Sequence, residues 1–409
     1  MKMVKILPLF LIIMMNQSLT GQHILQHLLE QNKHTLSPVI QHAEDYEVQI
    51  IYTQIDRDKN NIPHFNTYTF NQNDKYYYPA STVKMPTAFV ALEKLNQLKI
   101  NGLNKYSTTK HGVACQPQTP AEADSTAATG LPSIAHYIKE IFLVSDNDAY
   151  NRLYEFLGQE YLNRVLYNKG FQHTRILHRL GAEGASFTTE DNKKTNPVSF
   201  YNTEKLLYFQ GEVSSETRWD FKVKEEQKGK GFMQSGKLIN EPFDFSTKNY
   251  ISLMNLHDML QSVIFPEGVP QYRRFDLRED DYQFLYHWMS AKPRGAEYPY
   301  YDEPDAYVKF FMFGGKEEKI PDHIKIFNKV GYAYGYLTDV AYIIDTEANI
   351  EFMLTATIHV NYNQVYNDNV YEYDTIGLPF LKRLGDIIYE YELGRERKIK
   401  PDLGKFIGK

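Results

Sequence analysis

The chain has 409 residues, 42% of them apolar, and a formal net charge of −6. That is enough sequence to bury a large core without disulfide or metal staples. The acidic balance argues against nucleic acid as a partner, since phosphate binding takes a basic face, and a lone cysteine, Cys115, rules out an internal disulfide.

Residues 1–21 carry Lys2 and Lys5, an apolar stretch from Ile6 to Met15, and then the small residues Ser18, Thr20 and Gly21. This is a secretory signal-peptide pattern, too short to span a bilayer. An exported protein with no stable membrane anchor is expected, and loss of the leader takes the net charge to −8. His23 and His27 share helical i,i+4 spacing without a third ligand nearby, and HExxH and cysteine-pair zinc patterns are missing. No metal and no other cofactor is expected.

After a short helical stretch to Leu36, "YEVQIIYTQID" and "HFNTYTF" read as neighbouring antiparallel strands. From Ser81 to Leu98 the residues Met85, Ala88, Phe89, Leu92 and Leu95 recur at helical spacing. Residues 101–132 read as loop. Two helices, Ser133 to Val144 and Asp148 to Leu157, flank "SDN", and a mostly helical region is expected to run on to about Phe265. Within it, 211–250 breaks the pattern with charge and glycine, as an insertion or hairpin on the surface. A helix from Leu277 to Met289, the strands "IKIFNKVG", "YLTDVAYIID" and "EFMLTATIHV", and a closing helix from Ile376 to Tyr391 complete the chain.

Strands at both ends around a helical middle predict an α/β protein. Its mixed, mainly antiparallel sheet is built from both termini and flanked by helices, with an inserted helical lobe. The expected division is 1–21 leader, 22–100 with 272–409 as the α/β lobe, and 101–271 as the helical lobe. A cleft between the lobes is a natural site.

Three short motifs fall where that cleft would be. "YYYPASTVKMP" sets Ser81 and Lys84 three apart at a helix start, on one face, beside free backbone N–H groups. A serine is a poor nucleophile near neutral pH and needs a base; a lysine serves only if its pKa is lowered. Pro86 should make the first turn irregular. A helix cap followed by a solvated lysine is the plainer reading of this motif, and a second SxxK, Ser107 and Lys110, sits in loop sequence. "VSDNDAY" supplies Ser145, Asp146 and Asn147, either as a helix cap or as a proton relay and a substrate-holding amide. "FNKVGYAYG" places Lys329 and Gly331 on a strand, where a lysine can hold a carboxylate and a glycine admits a substrate backbone.

In this order the three pieces resemble the serine β-lactamase and penicillin-binding-protein superfamily, whose hallmarks are SxxK, SDN and KTG. Within it the chain is most similar to class A β-lactamases. The resemblance implies Ser81 as nucleophile, Lys84 as general base, Ser145 as proton shuttle, Asn147 as substrate-binding amide and Lys329 as carboxylate holder. It also implies an oxyanion hole from the N–H groups of Ser81 and Tyr332, and a periplasmic or secreted bacterial protein. Two departures stand out. Val330 replaces the hydroxyl residue of KTG, and Gly181 falls where class A enzymes carry the glutamate that activates the deacylating water, leaving Glu183, two residues away, as the candidate catalytic base or else an exposed loop acid. Three functions follow: a β-lactamase-like hydrolase of a cyclic amide, a D-Ala-D-Ala carboxypeptidase-like enzyme acting on a peptidoglycan stem peptide, or a non-catalytic penicillin- or peptide-binding module with a solvated Lys84.

Overall fold

A computed structural model describes residues 24–203, 205–219, 221–315, 317 and 319–407, without the side chains of residues 182 and 183. The expected leader and His23 lie outside the described residues.

The frame is a five-stranded sheet. Its strands are β1 (Gln49–Arg57), β2 (Pro63–Phe70), β3 (Ile324–Ala333), β4 (Tyr336–Asp345) and β5 (Ile350–His359), in the order β3-β4-β5-β1-β2 and antiparallel at every pairing. Every residue of β4 is buried. Such near-continuous apolar runs belong to a sheet covered on both faces. Ile326, Ile343 and Phe352 pack with helices α1 (Ile24–Gln31) and α8 (Leu378–Gly394), whereas their neighbours Phe327, Tyr342 and Met353 join the core on the opposite face. The period-two alternation thus feeds two different cores. Between β3 and β4 the turn residues Tyr334 and Gly335 have φ of 55° and 82°, the geometry of a tight two-residue hairpin that follows strand twist.

The second core is closed by α2 (Lys84–Leu98), α3 (Ile134–Val144), α4 (Asn147–Leu157), α5 (Gln159–Asn168), α6 (Leu253–Ile264) and α7 (Glu279–Ser290). Ser133 caps α3 by accepting from His136 N, and Asp146 caps α4 by accepting from Ala149 N. The expected lobe boundaries do not follow this packing. Helix α2, assigned to the sheet lobe, packs on α3, α4 and α5, while α6, assigned to the helical lobe, packs on β1, β4 and β5. One hydrophobic cluster runs through all of them.

The helical region also stops earlier than expected. Beyond Asn168 come short strands, among them Val198–Asn202, which pairs with Thr108–His111 and with Lys205–Gln210. Their "VSFYN" and "KLLYFQ" are aromatic and branched, which suits a pleated surface better than a helix. The segment 211–250 does contain a hairpin, Gly231–Gln234 with Lys237–Ile239. It is more than surface, because Phe232, Phe243 and Phe245 pack into a cluster with Tyr76, Tyr77, Tyr78, Tyr336 and Tyr366. Among the described residues, no helix is long and apolar enough to cross a membrane.

Candidate active site

The irregular first turn expected from Pro86 is a 3-10 turn, Ala80–Val83, running straight into α2. Pro86 is the third residue of α2, so its missing N–H falls among donors that a helix start leaves unused. Ala80, just before Ser81, has a φ of +46°. A non-glycine residue there costs on the order of 1–3 kcal/mol and persists only where its surroundings enforce it. Strand β3 is what presses on the turn. A Cβ added to Gly331 would stand 2.6 Å from Pro79 O, 2.8 Å from Ser81 N and 2.9 Å from Thr82 N. Only glycine lets the strand approach the serine this closely.

The side chain of Lys84 is fully buried. Its Nζ lies 2.5 Å from Ser145 O, 2.7 Å from Asn147 Oδ1 and 3.3 Å from Ser145 Oγ. Burial pulls its pKa down to about 7, with the charge of Asp146 opposing the shift. Across the cleft Lys329, also buried, reaches Ser145 Oγ at 2.8 Å and Val330 O at 2.8 Å. Burial first, then repulsion from Lys84, holds it well below the ordinary lysine range, and Asp339 opposes that shift. Ser145 itself sits at the C-terminal end of α3 in the left-handed region, φ 57°, with its N–H on Glu140 O. This bend brings its hydroxyl between the two amines.

A proton count shows what the arrangement can do. A neutral amine has two N–H donors and one lone pair. The two short contacts of Lys84, to Ser145 O and Asn147 Oδ1, use both donors and leave the lone pair available to accept a proton. Near its pKa an amine divides between the two forms, so this lysine can act as a base at neutral pH. Because Asn147 Oδ1 faces the lysine, its Nδ2 is free to donate elsewhere. The Ser81 hydroxyl has no hydrogen-bond partner among the described residues. It lines a pocket of about 730 Å³ together with Ser145, Asn147, Val330 and Tyr332.

The pocket wall opposite carries little chemistry. Gly181 lines it, and with φ +79° and Asn147 Nδ2 only 2.9 Å from an added Cβ it has no room for a side chain. The side chain of Glu183 lies outside the described set. Asp146 is the one carboxylate residue among the described pocket residues, and its Oδ1 is engaged by Ala149 N. Tyr332 is 54% exposed, its ring 5.5 Å from that of Tyr373. The second SxxK is structural, with Ser107 Oγ accepting from Asn104 N and Lys110 paired with Glu122. The motifs missed the aromatic rim formed by Tyr78, Tyr307, Tyr371 and Tyr373 with Asn367 and Asn369. Its sequence signal is the tyrosine and asparagine bias of "NYNQVYNDNVYEYD".

Residues 32–221 match the model of the beta-lactamase enzyme family, a stretch that holds Ser81, Lys84, Ser145 and Asn147. Over that stretch the chain is similar to serine β-lactamases, whose superfamily also includes penicillin-binding proteins. No curated protein matches it in sequence. Solved structures similar to this chain include the beta-lactamase from Desulfarculus baarsii DSM 2075, at 15% identity and a TM-score of 0.47 over 90% of this chain and 98% of that one. The beta-lactamase from Sphaerobacter thermophilus DSM 20745 gives 10%, 0.48, 90% and 98%. An ancestral class A beta-lactamase gives 13%, 0.45, 89% and 99%.

Proposed function

We propose that the protein is an exported serine hydrolase that opens an amide, β-lactam being the substrate class that the family suggests, through an acyl-enzyme on Ser81. The carrying observation is the buried Lys84, its pKa near 7, with its lone pair unclaimed at the base of the Ser81 turn. In this reading Lys84 takes the Ser81 proton as Oγ attacks the carbonyl carbon. The oxyanion forms against the N–H groups of Ser81 and Tyr332, worth about 10²–10³ in rate per donor. Ser145 passes a proton to the leaving nitrogen as the C–N bond breaks, Asn147 holds the substrate carbonyl, and Lys329 attracts its carboxylate. The burial of Lys84 speaks against the non-catalytic module, which requires that lysine in solvent.

A second reading, the D-Ala-D-Ala carboxypeptidase-like enzyme, is favoured by Gly181. Acylation groups are present, and at position 181 of the facing wall a glycine stands where a side chain would be needed to activate a hydrolytic water. A fluorescent penicillin incubated with the mature protein tests both readings. Label on Ser81 that is absent in Ser81→Ala supports the acyl-enzyme, and no label on the wild type defeats it. Label that clears within minutes favours the β-lactamase, and label that lasts hours favours the cell-wall enzyme.

A further inference from the structure

Outside the cleft, a second group of titratable side chains converges where α3 meets the loop that precedes it. Asp124, His136 and Glu140 each offer one ligand atom, all within 4.8 Å of one another, and His136 and Glu140 are buried. His136 Nε2 lies 3.4 Å from Asp124 Oδ2 and 3.7 Å from Glu140 Oε1. Thr126 Oγ1 completes the group, 2.7 Å from Asp124 Oδ1, 2.7 Å from His136 Nε2 and 3.0 Å from Glu140 Oε1. We infer that Asp124, His136 and Glu140, with the Thr126 hydroxyl, form a binding site for one divalent transition-metal cation, Zn²⁺ fitting best.

Three features carry this. The donor set, one imidazole nitrogen with two carboxylates and a neutral oxygen, suits zinc chemistry. Donors of a tetrahedral zinc about 2.0–2.1 Å from the metal stand roughly 3.3 Å apart, and the separations above bracket that value. The protons also fall short. The Thr126 hydroxyl and N–H and the Tyr301 hydroxyl donate to two carboxylates that offer about four lone-pair sites each, so acceptor capacity remains that a cation would answer. Tyr301 donates to Glu140 Oε1 at 3.3 Å, an outer partner of the kind that orients ligating carboxylates. The ion would fasten the 124–126 loop to α3 one turn before Ser145, whose N–H bonds Glu140 O. No metal is expected from the sequence patterns alone. The ligands sit at 124, 136 and 140, and only the i,i+4 pair of His136 and Glu140 leaves a local trace.

The test is calorimetric titration of the EDTA-stripped protein with ZnCl₂. One equivalent per chain is expected, lost in His136→Gln and Glu140→Gln, about tenfold weaker in Tyr301→Phe and unchanged in Cys115→Ser. Absence of stoichiometric binding overturns the inference, as does unchanged binding in both ligand variants. Should those variants fail to fold, the Co²⁺-loaded wild type decides. An intense visible absorption of tetrahedral type without sulfur charge transfer supports the site, and the weak spectrum of hydrated Co²⁺ overturns it.

Discussion

The two walls of the cleft are furnished very differently. On one side Ser81, Lys84, Ser145 and Lys329 are held by a 3-10 turn, a left-handed helix end and an edge strand, with two depressed amines sharing one hydroxyl. On the other side Gly181 presses its backbone against Asn147, and Asp146, the one carboxylate residue among the described pocket residues, has its Oδ1 engaged by Ala149 N. Forming and clearing an acyl-enzyme are separate tasks. On the proposed reading the first wall serves acylation, while Gly181 contributes no side chain to the clearing step.

The largest effect should come from Ser81→Ala, which removes the attacking oxygen and reduces covalent penicillin labelling to background, read by intact-protein mass spectrometry. Next, Lys84→Met should slow acylation by about 10²–10⁴ in stopped-flow measurements while leaving Ser81 in place. The same change should stabilise the fold by about 1–4 kcal/mol in denaturant unfolding, because a buried amine gives way to an apolar chain of similar length. That opposition of activity and stability would mark the amine wall as strained for function.

The pH dependence of stability carries the same sign. Burial holds the pKa of Lys84 in the folded protein at about 7, below the ordinary lysine value of about 10.4. Between those values the unfolded chain binds more protons, so stability should rise with pH across that window. In Lys84→Met the rise should be smaller. A wild-type unfolding midpoint that stays flat from pH 7 to 10 would count against a neutral Lys84. Gly331→Val should cost about 1–3 kcal/mol by overpacking and slow acylation, because its side chain meets Pro79 O and Ser81 N. Thermal melts and labelling rates would check both. Smallest is Tyr332→Ala on the exposed rim, expected to leave stability within about 0.5 kcal/mol and to alter mainly the substrate concentration needed for half-maximal acylation.

Much of the sheet was legible because its strands are long and rich in branched and aromatic residues, and the alternation between Ile326 and Phe327 survives in which core each joins. The irregular turn at Ser81 was legible from Pro86. Residues 174–210 were not, since strands of two to six residues leave too short a period to tell from helix. The lobe boundary failed for another reason: α2 and α6 are buried on several sides, and sequence periodicity does not say which neighbours cover them. Of the site, the motif residues could be picked out, whereas the tyrosine rim joins segments as distant as Tyr78 and Tyr373, so only its 361–374 part leaves a local pattern.

The account rests on a neutral Lys84 drawing the proton from Ser81, and the rate of Ser81 acylation as a function of pH tests it most directly. The expected profile rises through a midpoint near pH 7 and collapses in Lys84→Met. A rate independent of pH from 5 to 9, or an adduct carried by a residue other than Ser81, would contradict it.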